Sequence, residues 1–305
     1  MALTRAGLAL SFILALLAVA APAQATFPGR NGAIGFVQNG SSGGPGTVFD
    51  VQGLYTAPPR RHADARALVL CKFTDYVPQG CAITDYASPS YSPNGRRIVF
   101  DAGPRLAVVN ADGTGLRLLS AITSNDGDPA FAPDGKRIVF TGATAGGTTE
   151  LYVRRLDGDA HAIVPNASAP AWSSRNEIAY VRAGNIYRAG PNGRHRRLVT
   201  AGISPDWSPH GARLILIRPA AAGAVFGRLY VVNARGRGLQ PIGKRKDIAN
   251  PVWSPDGRWL AFDGFELGVH KRRFLPHARL FEIATTQSGS EGAYVTAYDA
   301  AWQPR

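Results

Sequence analysis

The sequence predicts an all-β fold, a six-bladed β-propeller of four-stranded antiparallel blades that is closed by a C-terminal strand completing blade one. Three observations predict it: a recurring phrase, the strands and tight turns that follow each copy, and two chain ends that complement each other. The phrase is Pro, any residue, an aromatic, Ser or Ala, and a turn like Pro-Asp-Gly. Recurring phrases of this kind indicate repeated supersecondary units. The copies are PSYSPNG from Pro89, PAFAPDG from Pro129, PAWSSRN from Pro170, PDWSPHG from Pro205, PVWSPDG from Pro251 and a truncated AAWQPR that ends at Arg305.

Each repeat carries four short strands. In the Pro129 repeat the first strand, 128–132, leads through Pro133-Asp134-Gly135 into a β-branched second strand, 137–140. Pro presets φ at the first corner of such a turn, and Gly accepts the positive φ that follows. A third strand, 151–155, and a fourth, 161–164, are joined by another tight turn. Four antiparallel strands in about 40 residues are typical of a propeller blade.

The chain ends predict how the ring closes. The C-terminal copy is a first strand with no second strand after it, whereas the segment entering Ile34 is a second strand with no first strand before it. We therefore expect Trp302 to pair onto the sheet that holds Ile34 and Phe36, which leaves no long sheet edge exposed. One aromatic per repeat is expected to pack between blades, although such a series could instead line a ligand groove. The series is Tyr91, Phe131, Trp172, Trp207, Trp253 and Trp302.

The first 25 residues are predicted to be a signal peptide. Arg5 supplies a positive charge, residues 6–20 are apolar, and Ala23-Gln24-Ala25 gives a small-x-small cleavage signature. The alternative is a membrane anchor, but the apolar run is shorter than the roughly 20 residues that span a bilayer. We expect cleavage after Ala25 and a mature product, 26–305, that forms one propeller domain without a transmembrane segment. Its expected location is periplasmic or extracellular.

Two cysteines fit that location. Cys71 and Cys81 lie beyond the cleavage site and are predicted to form a structural disulfide, since an oxidising compartment preserves such a bond. Closing so short a loop contributes roughly 2–3 kcal/mol in the chain-entropy model. The alternative is a pair of unpaired thiols.

The net charge of +13 raises the question of nucleic acid. The basic residues are spread over every repeat, and many lie beside turns, as on a solvated surface. Only Lys244–Lys246 and Lys271–Arg273 approach a concentrated patch. Binding to nucleic acid is therefore not expected, and it would be recognised by an affinity that falls steeply with salt.

The phrase, followed by an Ile-Ala-Phe-like strand, resembles the TolB-type propeller repeat, a PD40 or WD40-like repeat. The resemblance covers the chain after the signal and implies the propeller fold. The phrase starts near 88, 128, 169, 204, 250 and 299. TolB itself carries an α/β domain before its propeller, and we expect none here, so a role in the Tol–Pal envelope system is not carried over. The Pro170 repeat departs from the phrase, with Ser174-Arg175-Asn176 in place of Pro-Asp-Gly.

The two faces of the ring are expected to differ. The turns between strands one and two and between strands three and four share one face, the tight-turn face. The connections between strands two and three, and between one repeat and the next, share the other, the long-connection face. Variable loops on a rigid scaffold usually carry binding. The long connections are 38–51, 75–87, 143–149, 218–228 and 264–278.

Residues that precede the phrase are predicted to surround the mouth of the central channel on the long-connection face. The resemblance implies that this region receives a segment of a partner. The alternative is that the polar members cap the incoming strand through local hydrogen bonds. The predicted ligand-binding residues are Ser88, Asp128, Ser204, Asn250 and Asp299, with Ala169 at the same place in the Pro170 repeat.

No catalytic set emerges from the motifs. Gly40–Gly44 matches Gly-x-Ser-x-Gly without a following helix, and Gly238–Lys244 matches Gly-x4-Gly-Lys without the Ser or Thr of a phosphate loop. The six histidines lack metal-ligand spacing, and only His270 and His277 fall in a loop of the long-connection face. Asp126-Gly127-Asp128 offers carboxylates suited to calcium, but three residues do not make a site.

The sequence thus favours an exported, non-enzymatic propeller that binds a protein or a cell-envelope component. We expect a monomer with no cofactor. The alternative is a propeller hydrolase or lyase that acts on a glycan or a lactone at the channel mouth.

Overall fold

The computed structural model describes residues 26–42, 49–58, 65–74, 77–78, 81, 83, 85–221, 223–243, 248–264, 273–275, 278–283, 286–287 and 294–305. Several predicted features lie outside these ranges: the signal peptide 1–25, His62, His270, His277, Lys244–Lys246 and the Lys271-Arg272 pair. Among the described residues, no helix is long and apolar enough to cross a lipid bilayer.

The regular elements in the described ranges are strands. The N-terminal part holds β1 (Asn31–Ser42), β2 (Phe49–Ala57), β3 (Arg66–Thr74), β4 (Val77–Pro78), β5 (Tyr86–Tyr91), β6 (Arg97–Ala102), β7 (Arg105–Asn110) and β8 (Arg117–Leu118). The middle holds β9 (Asp126–Phe131), β10 (Arg137–Ala143), β11 (Thr149–Arg155), β12 (Ala160–Pro165), β13 (Ser168–Trp172), β14 (Ile178–Arg182), β15 (Asn185–Ala189) and β16 (Arg197–Ala201). The C-terminal part holds β17 (Ile203–Trp207), β18 (Arg213–Pro219), β19 (Gly227–Asn233), β20 (Gln240–Pro241), β21 (Ile248–Trp253), β22 (Trp259–Gly264), β23 (Arg273–Leu275), β24 (Ala278–Ile283), β25 (Thr286–Gln287) and β26 (Tyr294–Pro304).

The strands form an all-β propeller whose repeats are built of four-stranded antiparallel units. Sheets β5 to β8, β9 to β12 and β13 to β16 each contain one repeat. The first strand of each repeat lies innermost and contacts the first strands on either side, in the cycle β26, β5, β9, β13, β17, β21 and back to β26. The phrase therefore lines the centre of a closed ring.

The prediction of six separate blades is wrong, because the described strands form five sheets. The two C-terminal repeats share one sheet through a single bridge between Gly227 of β19 and Ile248 of β21. The outer strand β20 is only two residues long and pairs with Tyr230 and Val231. Beyond β20, the Ile242 N–H donates to the Leu229 carbonyl at 2.8 Å, so the bridge at Gly227 begins only where this pairing ends. In the same sheet β24 pairs with β22 in parallel, where an antiparallel partner was expected.

The phrase turns follow the sequence prediction closely. In the Pro89 repeat the Gly95 N–H donates to the Ser92 carbonyl at 2.8 Å, and Gly95 has a φ of +66°. In the departing Pro170 repeat Asn176 takes the same place, with φ 63° and its N–H on the Ser173 carbonyl at 3.0 Å. Asn tolerates this left-handed conformation better than most residues. Its side-chain oxygen also accepts from the Trp172 indole at 3.1 Å.

The ring closes through the two chain ends, as predicted. Ile34 of β1 pairs with Trp302 of β26 in an antiparallel register. Beyond the ladder, the Arg30 N–H donates to the Arg305 carbonyl at 2.7 Å and the Arg305 N–H returns to the Arg30 carbonyl at 2.9 Å. The C-terminal strand therefore lies between β1 and the short strand β25 in the first sheet.

The aromatic series belongs to the core, which confirms the packing interpretation. Its members are between 0% and 4% exposed. Trp207 shares a hydrophobic cluster with Ala179 of the preceding repeat, and Trp302 shares one with Val252. The Arg137 guanidinium lies over the Trp172 ring, 5.2 Å from its centroid. Each aromatic thus packs where neighbouring repeats meet.

Two features of the first sheet concern the long-connection face. Cys71 of β3 and Cys81 form the predicted disulfide. The predicted loop 38–51, in contrast, is mostly strand, because β1 and β2 stay paired from Ile34 with Ala57 to Ser42 with Phe49. The Gly- and Ser-rich composition favoured a loop, but backbone pairing on both sides of β1 extends the strand. Strand β26 accompanies it as far as the pair Gly40 with Val295.

Candidate functional site

The residues before the phrase share an unusual backbone. Each adopts a left-handed conformation although it is not glycine, and each is at most 8% exposed. Such residues are uncommon and are held in place only by the surrounding structure, often at functional sites. Their φ angles are 56° at Ser88, 53° at Asp128, 50° at Ala169, 48° at Ser204 and 47° at Asn250.

A β-bulge accompanies this conformation in every one of these strands. In β9, Gly127 pairs with Thr141 and Ala130 with Val139, so Asp128 and Pro129 face a single residue of β10. Equivalent shifts occur in β5, β13, β17 and β21. Bulges redirect side chains and are frequent next to binding and active sites. The central channel is therefore surrounded by β-bulges, one in each of these first strands.

Asp299 joins the same set through its backbone. Val37 pairs with Tyr298 and Gly35 with Ala301, so β26 carries its register shift at Asp299 and Ala300. The structure thus brings all the predicted ligand-binding residues to corresponding positions of the innermost strands. Whether they bind a ligand stays a prediction.

The polar side chains of the set are engaged by neighbouring strands. Asp128 Oδ2 accepts from the Thr141 hydroxyl at 3.1 Å, and the Ala169 N–H donates to that same Thr141 oxygen at 3.2 Å. Asn250 Nδ2 donates to Asp263 Oδ2 at 2.7 Å. These bonds tie the bulge to the second strand and, through Thr141, to the next repeat. They favour a positioning role within the ring for these groups.

The carboxylates considered for calcium accept hydrogen bonds from neighbouring groups. Asp126 Oδ2 accepts from the Ile122 N–H at 2.7 Å, and Oδ1 accepts from the Thr123 N–H and hydroxyl at 2.9 and 2.6 Å. Asp126 therefore shapes the connection that leads into β9, while Asp128 bonds to β10. Within the described ranges no three His, Cys, Asp or Glu side chains are grouped as a metal site would require.

A buried carboxylate that sequence reasoning missed lies at the other end of the ring. Asp206 is 0% exposed. Its Oδ2 accepts from the Trp253 N–H at 2.8 Å and from the Thr26 hydroxyl at 3.1 Å. Its Oδ1 has no hydrogen-bond partner among the described residues. Burial raises the pKa of Asp206 well above its usual range, against the opposing effect of the Trp253, Trp207 and Thr26 donors.

The sequence did contain a signal for this group. Asp206 occupies the variable position of the phrase, between Pro and the aromatic. A carboxylate stands out there, because the other copies carry only small or apolar residues. These are Ser90, Ala130, Ala171, Val252 and Ala301.

The segment that reaches Asp206 fills the tight-turn end of the ring. Thr26 and Phe27 are each 3% exposed. Phe27 belongs to the same hydrophobic cluster as Phe131, and the Thr26 hydroxyl lies 3.0 Å from the Trp253 carbonyl oxygen. The Gly29 N–H donates to Pro255 in a phrase turn at 3.2 Å. The innermost strands are thus plugged at this end by residues that precede β1.

The opposite end is shaped by the first sheet. Strand β1 has 12 residues and β26 has 11, whereas β5, β9 and β21 have six each. Strand β26 starts five residues before Asp299, whereas β9 starts two residues before Asp128. At about 3.3 Å per residue, the first sheet therefore extends roughly 10 Å past this neighbouring first strand. The extension lies on the long-connection face, because β1 ends and β2 begins there.

No protein-family model matches the sequence, and no curated protein matches it.

Solved structures share the fold at low sequence identity. TolB from Acinetobacter baumannii is 14% identical with a TM-score of 0.51, over 90% of this chain and 67% of that chain. Hydrazine synthase from Kuenenia stuttgartiensis is 11% identical with a TM-score of 0.64, over 91% of this chain and 47% of that chain. An oligogalacturonate lyase solved with manganese is 11% identical with a TM-score of 0.51, over 79% of this chain and 80% of that chain. The fold is therefore that of a TolB-like β-propeller.

Proposed function

We propose that this chain is an exported β-propeller that binds a protein or a cell-envelope component on its long-connection face. The observation that carries the proposal is the difference between the two ends of the ring. Thr26 and Phe27 fill the tight-turn end, while the first sheet extends beyond the long-connection end. A partner that approaches the channel is then received where the paired β1 and β26 project.

The bulged residues supply the second line of support. Left-handed, non-glycine residues at corresponding positions of five repeats cost on the order of 1–2 kcal/mol each. Because each of these repeats retains the strained conformation, we infer that the innermost backbone of the ring is held in one defined shape. We propose that Ser88, Asp128, Ser204, Asn250 and Asp299 fix the channel mouth that a partner segment contacts, as the TolB resemblance implies.

Export is supported by the start of the folded chain and by the disulfide. Residues 1–25 have the composition of a signal peptide, and Thr26, directly after the predicted cleavage position, is already part of the core. The Cys71–Cys81 bridge suits an oxidising compartment. We place the mature protein in the periplasm or outside the cell, as a monomer without a cofactor.

A crosslinking experiment separates the two faces within one repeat. A photoreactive residue replaces Thr148, which is exposed just before β11 on the long-connection face, or Asp157, which is exposed just after β11 on the tight-turn face. Incubation with envelope extract should give a crosslinked partner from position 148 and none from position 157. The same product from both positions, or none from either, contradicts the proposal.

The alternative is a hydrolase or lyase acting on a glycan or a lactone at the channel mouth, and the oligogalacturonate lyase with the same fold is the observation that favours it. This alternative predicts turnover that Asp128→Ala or Asp299→Ala abolishes, with folding preserved by circular dichroism. A panel of glycans and lactones with metal analysis of the purified protein tests it, and an inert, metal-free protein removes it.

A further inference from the structure

Among the described residues, the groups that act most strongly on the Asp206 carboxylate carry no positive charge. The groups that act on it are the N–H groups of Trp253, Trp207 and Thr26 and the Thr26 hydroxyl, and none of these is charged. An ionised carboxylate removed from water is costly unless it is paired. Its Oδ1 is fully buried and has no hydrogen-bond partner among the described residues. Oδ2 of Asp206 is therefore the oxygen that accepts hydrogen bonds, and Oδ1 is available to a further donor.

We propose that the Asp206 carboxylate binds the α-ammonium group that export processing creates at Thr26. This inference rests on the proposed export and goes beyond the proposed binding role. The Thr26 hydroxyl donates to Asp206 Oδ2 at 3.1 Å, and this bond holds the nitrogen of the same residue next to the carboxylate. The Thr26 nitrogen belongs to a peptide bond in the precursor and to a positively charged ammonium group in the mature chain. The segment does not have to move for this change.

The chemistry of the step is a simple hydrolysis. A signal peptidase adds one water across the Ala25–Thr26 peptide bond. The hydroxyl goes to the Ala25 carbonyl and a hydrogen to the Thr26 nitrogen. At neutral pH the new carboxyl group releases a proton and the new amine binds one. The amide supplied one donor, whereas the ammonium supplies three and a positive charge, enough to serve both oxygens of Asp206.

The consequence is an ion pair between the N-terminus and Asp206 that forms only after cleavage. In the precursor the segment from Thr26 to Gly29 is held by neutral hydrogen bonds and by the burial of Phe27. In the mature chain a charge-assisted pair is added between the N-terminus and β17. Hydrogen bonds to charged groups contribute about 1.5–3 kcal/mol. The mature propeller is therefore more stable than the same propeller with residues attached before Thr26.

The test compares two purified forms, one that begins at Thr26 and one that begins at Gln24. At pH 7 the unfolding equilibrium constant in urea should be on the order of 10- to 100-fold smaller for the form that begins at Thr26. Asp206→Asn in both forms should bring that ratio close to one, as a double-mutant cycle requires. Asp157→Asn, which removes an exposed carboxylate, should leave the ratio unchanged.

A second readout needs no variant and covers the case in which Asp206→Asn fails to fold. The α-amine of the form that begins at Thr26 should react with an acylating reagent at least tenfold more slowly than the α-amine of the form that begins at Gln24. Equal stability of the two forms, or equal reactivity of their amines, overturns the proposal. So does an exported protein whose first residue is not Thr26. None of these outcomes bears on the crosslinking result.

Discussion

Trp302 lies opposite Ile34, so the last strand of the chain is hydrogen-bonded to the first. Trp302 is 4% exposed and shares its hydrophobic cluster with Ile34 and with Val252 of the neighbouring repeat. This side chain therefore joins the first sheet to the neighbouring sheet at the point where the ring closes.

Removing residues 301–305 should lower the melting temperature clearly. The truncated chain loses the pairs of Trp302 and Pro304 with β1 and the packing of a buried Trp, and loss of such a side chain alone costs about 3–5 kcal/mol. Thermal unfolding followed by circular dichroism measures the change. Gln303→Ala, which removes a half-buried side chain and keeps the ladder, should have a much smaller effect. A truncated protein that melts with the full chain contradicts the ring.

Gly95→Ala should destabilise the protein more than Gly103→Ala. Both glycines have positive φ, +66° and +65°, so both substitutions carry the same backbone strain. A Cβ at Gly95 would lie 2.1 Å from the Pro304 carbonyl oxygen, whereas nothing lies within 4 Å at Gly103. Urea unfolding should give about 1 kcal/mol for Gly103→Ala and a distinctly larger loss for Gly95→Ala. Equal losses would mean that the C-terminal strand does not sit against the phrase turn.

Ala169→Gly should change the free energy of unfolding by less than about 1 kcal/mol, although Ala169 is fully buried. Glycine relieves the left-handed strain of about 1–2 kcal/mol, and this offsets an entropic cost of roughly 0.5–1 kcal/mol and the loss of a buried methyl group, about 0.8 kcal/mol. Ala171→Gly, two residues later in β13 and equally buried, lacks that compensation and should lose about 1.5 kcal/mol. Chemical denaturation of both variants decides it; a similar loss at both positions rules out strain at the bulge.

The form that begins at Gln24 still has a peptide bond before Thr26. Its free energy of unfolding should fall as pH rises, compared with that of the Asp206→Asn variant of the same form. The folded pKa of Asp206 lies above its unfolded value near 3.9, so folding favours the protonated carboxyl. Its contribution is complete below the unfolded pKa and is lost as pH rises towards the folded pKa. The slope is about 1.4 kcal/mol per pH unit in that window. Urea titrations between pH 4 and 7 measure the difference, and a constant difference contradicts the raised pKa.

The sequence predicted those features in which a residue type has a single structural role. Proline and glycine at defined places in the phrase determined the turns, and the aromatic in every copy had to be buried. The stub around Trp302 determined the partner of β1. The Cys71–Cys81 bridge followed from two cysteines that lie beyond the predicted cleavage position. These predictions depend on local backbone geometry or on the number of cysteines and repeats. Such features can be read from the sequence without knowing the rest of the fold.

Other features depend on distant partners and were missed. The bridge from Gly227 to Ile248 joins residues of two different repeats, and no pattern in the sequence marks it. The residues 38–42 are Gly- and Ser-rich, yet they are strand because β26 and β2 pair on either side. The left-handed φ of Ala169 contradicts its local preference and is imposed by the bulge.

Strand β1 leaves the ribosome before every other described strand, and β26 leaves after them all. Until synthesis is complete, the first sheet therefore lacks β26, and the long edge of β1 that pairs with it stays uncovered. Folding of the intermediate repeats can proceed from neighbour to neighbour, but the final contact spans nearly the whole polypeptide. A chaperone that shields β1 until β26 is available would act on the step at which this molecule is most prone to associate wrongly.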